Sequence, residues 1–174
     1  MAEEPDLESQ LAAVHAACWG WALACAGRDR DRASDVLQEA YARVLERRAR
    51  WDGRSSFKTW LFGVVRMIAL EERRFAALRF LRARAPLDPS AAPPSARAPD
   101  SELGARERAK ALEEALRALP ERQRQVLHLA FYEGLSLAEA AEVMGISTGT
   151  ASQHYDRGKA ALAARLAREA QVRR

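Results

Sequence analysis

Residues 134–162, GLSLAEAAEVMGISTGTASQHYDRGKAAL, contain two helical patterns separated by a tight turn. Ser136 can cap a first short helix, which ends at Gly145. Ser147 can cap a second helix, which runs to about Arg168. Two helices joined by so short a turn are typical of a helix-turn-helix, whose second helix enters the DNA major groove. This stretch therefore predicts an α-helical domain that binds duplex DNA.

The second of these helices begins with side chains that hydrogen-bond bases and phosphates. On an ordinary helical hairpin, which is the alternative, the same side chains would form a solvated face. Asp156 would repel phosphate, so we expect it to pair with Arg157 or to accept from a cytosine amine. The residues predicted to bind duplex DNA are Arg122, Thr148, Thr150, Ser152, Gln153, Asp156, Arg157 and Lys159.

A proline-rich stretch precedes this block. Residues 84–101 read RAPLDPSAAPPSARAPDS and contain five of the seven prolines. Proline removes N–H donors and blocks helix, so the stretch predicts a flexible Pro/Ala-rich linker. The predicted fold class is therefore all-α, with two small helical domains. We place one domain over residues 1–84, the linker over 85–101 and the helix-turn-helix domain over 102–174.

The first block has the three- and four-residue apolar spacing of packed helices. The first predicted helix buries Leu7, Leu11, Val14, Cys18, Trp21 and Cys25. A second, from about Arg32 to Arg50, buries Ala33, Val36, Leu37, Ala40, Tyr41, Val44 and Leu45. A third, capped by Ser55 or Ser56, buries Phe57, Trp60, Leu61, Val64 and Ile68. Phe75, Leu78, Phe80 and Leu81 either extend it or form a short fourth helix.

Composition agrees with a helical protein. Ala, Leu, Arg and Glu dominate the 174 residues, and the net charge of +4 permits binding to a polyanion without requiring it. No apolar run approaches the roughly 20 residues of a membrane span, so we expect no membrane insertion. The N-terminus, MAEEPDLESQ, is acidic and polar, unlike a secretory signal, and this predicts a cytoplasmic location.

Signs of catalysis or metal binding are weak. Cys18 and Cys25 lie two helical turns apart, too far for a disulfide, and with His15 they do not make a compact tetrahedral site. His128 and His154 lack a partnered acid and nucleophile, and no nucleotide-binding fingerprint is present. We therefore predict no catalytic residue, no metal and no cofactor, and expect that the protein is not an enzyme.

Several motifs together resemble one family. In the second block they are LPERQ (119–123), the Val126-Leu127 pair, YEGLS (132–136), AEAA (138–141), MGIS (144–147) and Gly149-Thr150. They resemble the promoter −35-binding domain of extracytoplasmic-function sigma factors, in the sigma-70 family. In the first block, ASDVLQEAY (33–41) resembles the polymerase-binding helix of that family, and FKTWLF (57–62) resembles its promoter-melting segment. Both stand in the expected order.

The resemblance implies specific roles for the first block. The residues that would dock on core RNA polymerase are Asp35, Gln38, Glu39 and Arg43. The residues that would hold the −10 strand are Trp51, Asp52, Gly53, Arg54, Ser55, Ser56, Lys58, Arg66, Met67, Arg73 and Arg74. A loop with aromatic borders and basic neighbours can both stack on unpaired bases and follow phosphates. Trp60 falls on the apolar face, so we expect it in the core.

The resemblance also implies partners: core RNA polymerase, promoter DNA and a dedicated anti-sigma protein. The alternatives are a helix-turn-helix regulator that uses only the second block, and a sigma-like protein-interaction module. Met67 and Glu71 stand where the family usually has asparagine and aspartate, and Ala151 replaces a usual valine. The stretch His154–Lys159 is also unusual. These departures leave the promoter sequence open.

Overall fold

The computed structural model describes residues 6–83 and 103–172, and every regular element in these two ranges is a helix. The helices are α1 (Leu7–Cys25), α2 (Arg30–Leu45), α3 (Phe57–Ala83), α4 (Leu103–Arg117), α5 (Glu121–Leu127), α6 (Leu137–Met144) and α7 (Thr148–Val172). One turn of π-helix, His128–Tyr132, continues α5. The all-α fold is confirmed. The predicted linker lies outside the described residues.

Two compact units are centred on α1–α3 and on α4–α7. In the first, the three helices pack against one another around Trp21 of α1 and Phe62 of α3, both fully buried. The two rings stack with centroids 5.8 Å apart. The Trp21 indole N–H donates to the Phe62 carbonyl over 2.9 Å, which satisfies a polar group that would be costly to bury alone.

The end of α2 differs from the prediction. The helix stops at Leu45 rather than near Arg50, because Arg47 adopts a left-handed conformation with φ of 58°. The N–H of Ala49 then donates to the carbonyl of Arg43 over 2.9 Å, which closes the last turn. Leu45 was predicted to be buried, and this is wrong: it is 51% exposed.

The third helix is longer and more continuous than the apolar pattern required. It begins after Ser56, whose hydroxyl oxygen accepts the Thr59 N–H over 3.1 Å, and it runs unbroken to Ala83. The sequence allowed residues 75–81 either to extend this helix or to form a short fourth one, and in the structure they extend α3. Trp60 lies only partly within the core, since its ring remains partly exposed beside Phe57. The prediction that Trp60 is a core residue therefore holds only in part.

The second unit is built around α7, against which α4 and α5 pack. Its core includes Val126, Leu127, Leu129, Ala140 and Ala151. Close packing requires glycine at position 158, since a Cβ there would lie 3.0 Å from Leu127 Cδ1 and 3.3 Å from Gln123 Cβ. The close approach of α5 to α7 therefore depends on the missing side chain at position 158.

The buried Trp21 yields a stability prediction. Trp21→Ala should lower the free energy of unfolding by about 3–5 kcal/mol, because it leaves a large cavity and removes the bond to the Phe62 carbonyl. Urea unfolding monitored by near-ultraviolet circular dichroism measures this loss. Trp19→Ala, on the same helix at a partly exposed position, should cost clearly less. Equal losses from both variants would contradict the central role of Trp21.

Candidate nucleic-acid interface

The helix-turn-helix begins with a capping box. The Ser136 hydroxyl oxygen accepts the Glu139 N–H over 3.2 Å, and the Glu139 carboxylate accepts the Ser136 N–H over 2.8 Å. This reciprocal pair satisfies backbone donors that the first turn of α6 leaves without helical partners. The start of α6 is therefore determined by two residues three positions apart, as the sequence predicted for Ser136.

The turn between α6 and α7 is built from backbone hydrogen bonds. Gly145 has φ of +62°, and the Ile146 N–H donates to the Ala141 carbonyl over 3.0 Å. Ser147 then caps α7, because its hydroxyl oxygen accepts the Thr150 N–H over 3.1 Å. A residue with a Cβ is strained at this φ, so glycine is the residue that allows the chain to turn so sharply.

One face of α7 packs and the opposite face is exposed. Ala151 and Gly158 are buried. The predicted DNA-binding residues that are exposed are Thr148, Gln153, Asp156, Arg157 and Lys159, with Arg122 on α5. Thr150 and Ser152 are partly exposed, and the Thr150 hydroxyl lies 2.8 Å from that of Ser147. Seven of these eight residues thus lie on the same helix, with exposed hydrogen-bonding groups from its first turn onward.

The expected pairing of Asp156 with Arg157 is not seen, and within the described residues the two form no ion pair with each other. Consecutive residues on a helix project in different directions, which explains why they do not meet. Lys159 instead lies over the Tyr155 ring, with Nζ 4.6 Å from the centroid. Tyr155 in turn stacks on Phe131 at 5.7 Å. This aromatic contact was missed because Phe131 reaches α7 only through tertiary packing.

In the first unit, the predicted −10 loop has its own internal bonds. The Trp51 indole N–H donates to the Ser55 carbonyl over 2.9 Å, and an Asp52 carboxylate oxygen accepts the Arg54 N–H over 3.1 Å. Gly53, with φ of +75°, stands between them. The Trp51 and Phe57 rings lie nearly perpendicular with centroids 5.6 Å apart, yet 41% of Trp51 remains exposed. The loop therefore presents an ordered aromatic surface to solvent.

The basic residues predicted to accompany this loop are distributed along α3. Lys58 lies over the Phe62 ring at 5.4 Å, and Arg66 is partly exposed. Met67 is 44% exposed, and Arg73 and Arg74 are exposed further along the helix. The Ser56 hydroxyl caps α3 by bonding to the N–H and the hydroxyl of Thr59. Ser56 therefore has a structural role in addition to its predicted place in the −10 loop.

The predicted polymerase-binding residues divide into two groups. Asp35 and Gln38 are exposed. Arg43 instead pairs with Glu39 over 2.7 Å and with Glu71 of α3 over 2.8 Å. The bond from Arg43 is the main cause that lowers the pKa of Glu39, and the bond to Glu71 is the main cause that raises the pKa of Arg43. Arg43 is only 22% exposed, so it ties α2 to α3.

Comparison with known proteins identifies the family of the chain. The Sigma-70 region 2 family model matches residues 11–86, and the Sigma-70 region 4 model matches residues 109–162. The ECF RNA polymerase sigma factor SigF of Caulobacter vibrioides is 35% identical over 77% of this chain and 70% of that protein. The ECF RNA polymerase sigma factor SigL of Mycobacterium tuberculosis is 34% identical over 88% of this chain and 86% of that protein. The chain belongs to the extracytoplasmic-function (ECF) family of RNA polymerase sigma factors.

This ECF sigma factor therefore acts in promoter-specific transcription initiation as a sigma subunit, as the motifs predicted. Its fold is similar to that of the sigma factor RpoE from Bartonella quintana, solved with the anti-sigma factor NepR, at a TM-score of 0.75 and 22% identity over 94% of this chain and 98% of that one. CnrH, solved with the cytosolic domain of CnrY, has a TM-score of 0.57 and 23% identity over 89% of this chain and 84% of that one.

A groove between α2 and α3 of the sigma factor was missed by the sequence patterns. It has a volume of about 630 Å³ and is lined by Arg32, Asp35, Glu72, Phe75, Ala76 and Arg79. Burial raises the pKa of Glu72, and the charge of Asp35 raises it further. Phe75 is 63% exposed. The groove thus combines an exposed aromatic ring with a carboxylate whose pKa is raised, three residues before it on α3.

The described residues of the sigma factor contain no cluster of His, Cys, Asp and Glu able to hold a metal ion. Among the described helices, none is long and apolar enough to cross a membrane. Cys18 and Cys25 are both buried and are not joined by a disulfide, as their spacing predicted.

The turn of the sigma factor's helix-turn-helix yields a second prediction. Gly145→Ala should destabilise the second unit by about 1–2 kcal/mol, since alanine is strained in the left-handed conformation. Gly149→Ala is the matched control, because Gly149 lies within α7 with open space at its Cβ position. Thermal unfolding followed by circular dichroism compares the two variants. Equal stability of both would show that the turn tolerates a side chain.

Proposed function

We propose that this sigma factor reads the −35 element with α7, holds the separated −10 strand with loop 51–56 and α3, and docks on core RNA polymerase through α2. The observation that carries the proposal is the two-sided character of α7. Ala151 and Gly158 are buried on one side, while Gln153 and Arg157 are exposed on the other at the N-terminal end of the helix. This is the arrangement by which a helix-turn-helix presents side chains to the major groove.

On the −35 duplex, the exposed residues divide by chemistry. Gln153 can bond bidentately to adenine, and Arg157 to guanine or to phosphate. Asp156 has no phosphate-binding role, but it can accept from a cytosine amine. Lys159 is held by the Tyr155 ring on the flank of α7, which suits a contact with a phosphate. Thr148, Thr150, Ser152 and Arg122 complete the proposed surface.

On the −10 strand, the ordered loop supplies the stacking surface. Trp51 is held by the bond to the Ser55 carbonyl and by its perpendicular contact with the Phe57 ring, so little side-chain entropy remains to be lost on binding. An unpaired base that stacks there favours strand separation, since the open form of DNA is then better bound. The charges proposed to follow its phosphates are Arg54, Lys58, Arg66, Arg73 and Arg74, with Met67 beside them.

For polymerase docking, the exposed residues Asp35 and Gln38 carry the proposal. Asp35 also lines the α2–α3 groove beside Phe75, so a partner could combine a polar contact with burial of an aromatic ring. The core of a protein interface is usually built from such aromatic anchors. Glu39 pairs with Arg43 within α2, and Arg43 also pairs with Glu71 of α3, so these two residues contribute by orienting the charges beside the docking surface.

An anti-sigma protein is the third proposed partner. RpoE and CnrH, whose folds are similar, were each solved with a partner protein, which is called an anti-sigma factor in the case of NepR. We propose that an inhibitor of this sigma factor covers Asp35 and the α2–α3 groove, which would make its binding and that of polymerase mutually exclusive. We further propose that residues 85–101 tether domains 1–84 and 102–174, that the protein acts in the cytoplasm with polymerase, and that it has no catalytic residue of its own.

Run-off transcription with core RNA polymerase tests the proposal as a whole. A library of candidate promoters should give specific transcripts only when the sigma factor is added. A helix-turn-helix regulator would give no transcript in this assay, although it would bind duplex DNA in a separate binding measurement. A protein-interaction module would do neither.

The polymerase surface gives a third prediction. Asp35→Arg combined with Gln38→Ala should weaken binding to core polymerase at least about tenfold, because both side chains are exposed and one charge is reversed at an interface. Fluorescence anisotropy of labelled sigma factor measures the affinity. As a control, Glu8→Arg combined with Ser9→Ala makes the same kind of change at exposed positions of α1. This control variant should bind core polymerase with unchanged affinity. Unchanged affinity in the α2 variant would remove these residues from the interface.

The −35 surface gives a fourth prediction. Gln153→Ala should cost about 1–3 kcal/mol of binding to the preferred duplex and far less on unrelated DNA, as expected for a base contact. If Arg157 contacts phosphate, Arg157→Ala should weaken binding to every duplex. It should also reduce by about 1 the slope of log binding constant against log salt concentration. Arg168→Ala, at an exposed position near the end of α7, serves as the control. The assignment fails for either residue whose loss leaves all duplex affinities unchanged.

A further inference from the structure

A carboxylate lies within the face of α3 that is proposed to bind DNA. Glu71 is one turn after Met67 and three residues before Arg74, so helical spacing places it between two proposed −10 contacts. Its side chain is 36% exposed. An isolated negative charge at this position would repel the phosphates of any strand that follows α3.

Arg43 reaches this carboxylate from the neighbouring helix. Its Nη2 lies 2.8 Å from an oxygen of Glu71, and its Nε lies 2.7 Å from an oxygen of Glu39. Glu39 has a second cation close by, since Arg48 Nη1 lies 3.3 Å from the same oxygen. Arg48 lies closer still to Glu46, at 2.6 Å, so its charge is shared between two carboxylates. Arg43 is the cation in direct contact with Glu71, and it divides its charge between Glu71 and Glu39.

We infer that Arg43 is a positioning residue for promoter opening, which neutralises Glu71 so that the DNA face of α3 does not repel the −10 strand. The inference rests on the proposed role of α3 and changes the role of Arg43 from a polymerase contact to an internal counter-charge. Its low exposure of 22% agrees with that role, because its guanidinium faces two carboxylates of its own chain. Partly exposed ion pairs add little to stability, so a structural purpose alone explains the arrangement poorly.

Two single variants and their combination separate electrostatic from structural roles. If Arg43 only ties the helices together, Arg43→Met and Glu71→Gln should both weaken strand binding. If it neutralises Glu71, Arg43→Met should weaken binding about three- to tenfold, the size expected for one unscreened surface charge near phosphate. Glu71→Gln should bind as well as the wild type or better, and Arg43→Met with Glu71→Gln should return to the wild-type affinity.

The experiment uses the full chain assembled with saturating core polymerase, with holoenzyme formation measured separately for each variant. The probe is a fluorescent fork DNA with a single-stranded −10 region, taken from a promoter that the wild-type holoenzyme transcribes. Raising the salt concentration from about 0.1 M to about 0.5 M should reduce the difference in fork-DNA affinity between Arg43→Met and the wild type. Arg117→Met and Glu113→Gln, which break a 2.8 Å ion pair on α4, are the matched controls and should change nothing.

Weakened binding by Glu71→Gln, or a double variant no better than Arg43→Met, would overturn the inference while leaving the proposed −10 site in place. Wild-type strand affinity in Arg43→Met would overturn it equally. Failure of the wild-type holoenzyme to bind the fork would overturn both the inference and the proposed role of α3, so the two failures are distinguishable.

Discussion

Helix termination is the constraint on which this structure depends. A chain dominated by Ala, Leu, Arg and Glu favours helix almost everywhere, so the architecture is determined by the positions at which helices are forced to stop. Two residues with positive φ, Arg47 and Gly145, end or separate helices at the edges of the two proposed DNA-binding sites. In both cases the backbone makes hydrogen bonds back to the preceding helix, which makes the stop specific.

Each site follows from such a stop because a new helix begins shortly after it. Ser56 and Ser147 cap α3 and α7 through equivalent bonds, each to the N–H three residues later. Capping orients the first turn, and the first turn carries or adjoins the proposed DNA-binding side chains. A short irregular segment before a rigid helix thus places polar groups accurately, which is what recognition of bases requires.

The ion pairs between α2 and α3 show how one helix can serve two purposes. Asp35 and Gln38 are exposed, with the Gln38 amide donating to the Ser34 hydroxyl of the same helix. Glu39 is instead engaged with Arg43, and Arg43 also pairs with Glu71 of α3. A polar stripe that looks uniform along the sequence is therefore divided in space. The groove that contains Asp35 and Phe75 extends the exposed part onto α3. Helix α7 is divided in a similar way. Gly158 packs against Leu127 and Tyr155 stacks on Phe131, while Asp156 and Arg157 between them remain exposed.

The sequence by itself determined the helical class, the family, the caps at Ser136 and Ser147, and the absence of a Cys18–Cys25 disulfide, because these depend on spacing and on contacts within a few residues. It left the cap of α3 open between Ser55 and Ser56, and the structure has Ser56. It did not determine the early end of α2, the partial exposure of Trp60 or the engagement of Arg43 with Glu71. The exposure of Trp60 and the ion pair of Arg43 depend on which side chains meet across helices, 28 positions apart in the case of Arg43 and Glu71. The early end of α2 depends instead on the left-handed backbone at Arg47. Helical periodicity identifies the face on which a residue lies, but only the packing of α2 against α3 decided which charges on that face are neutralised.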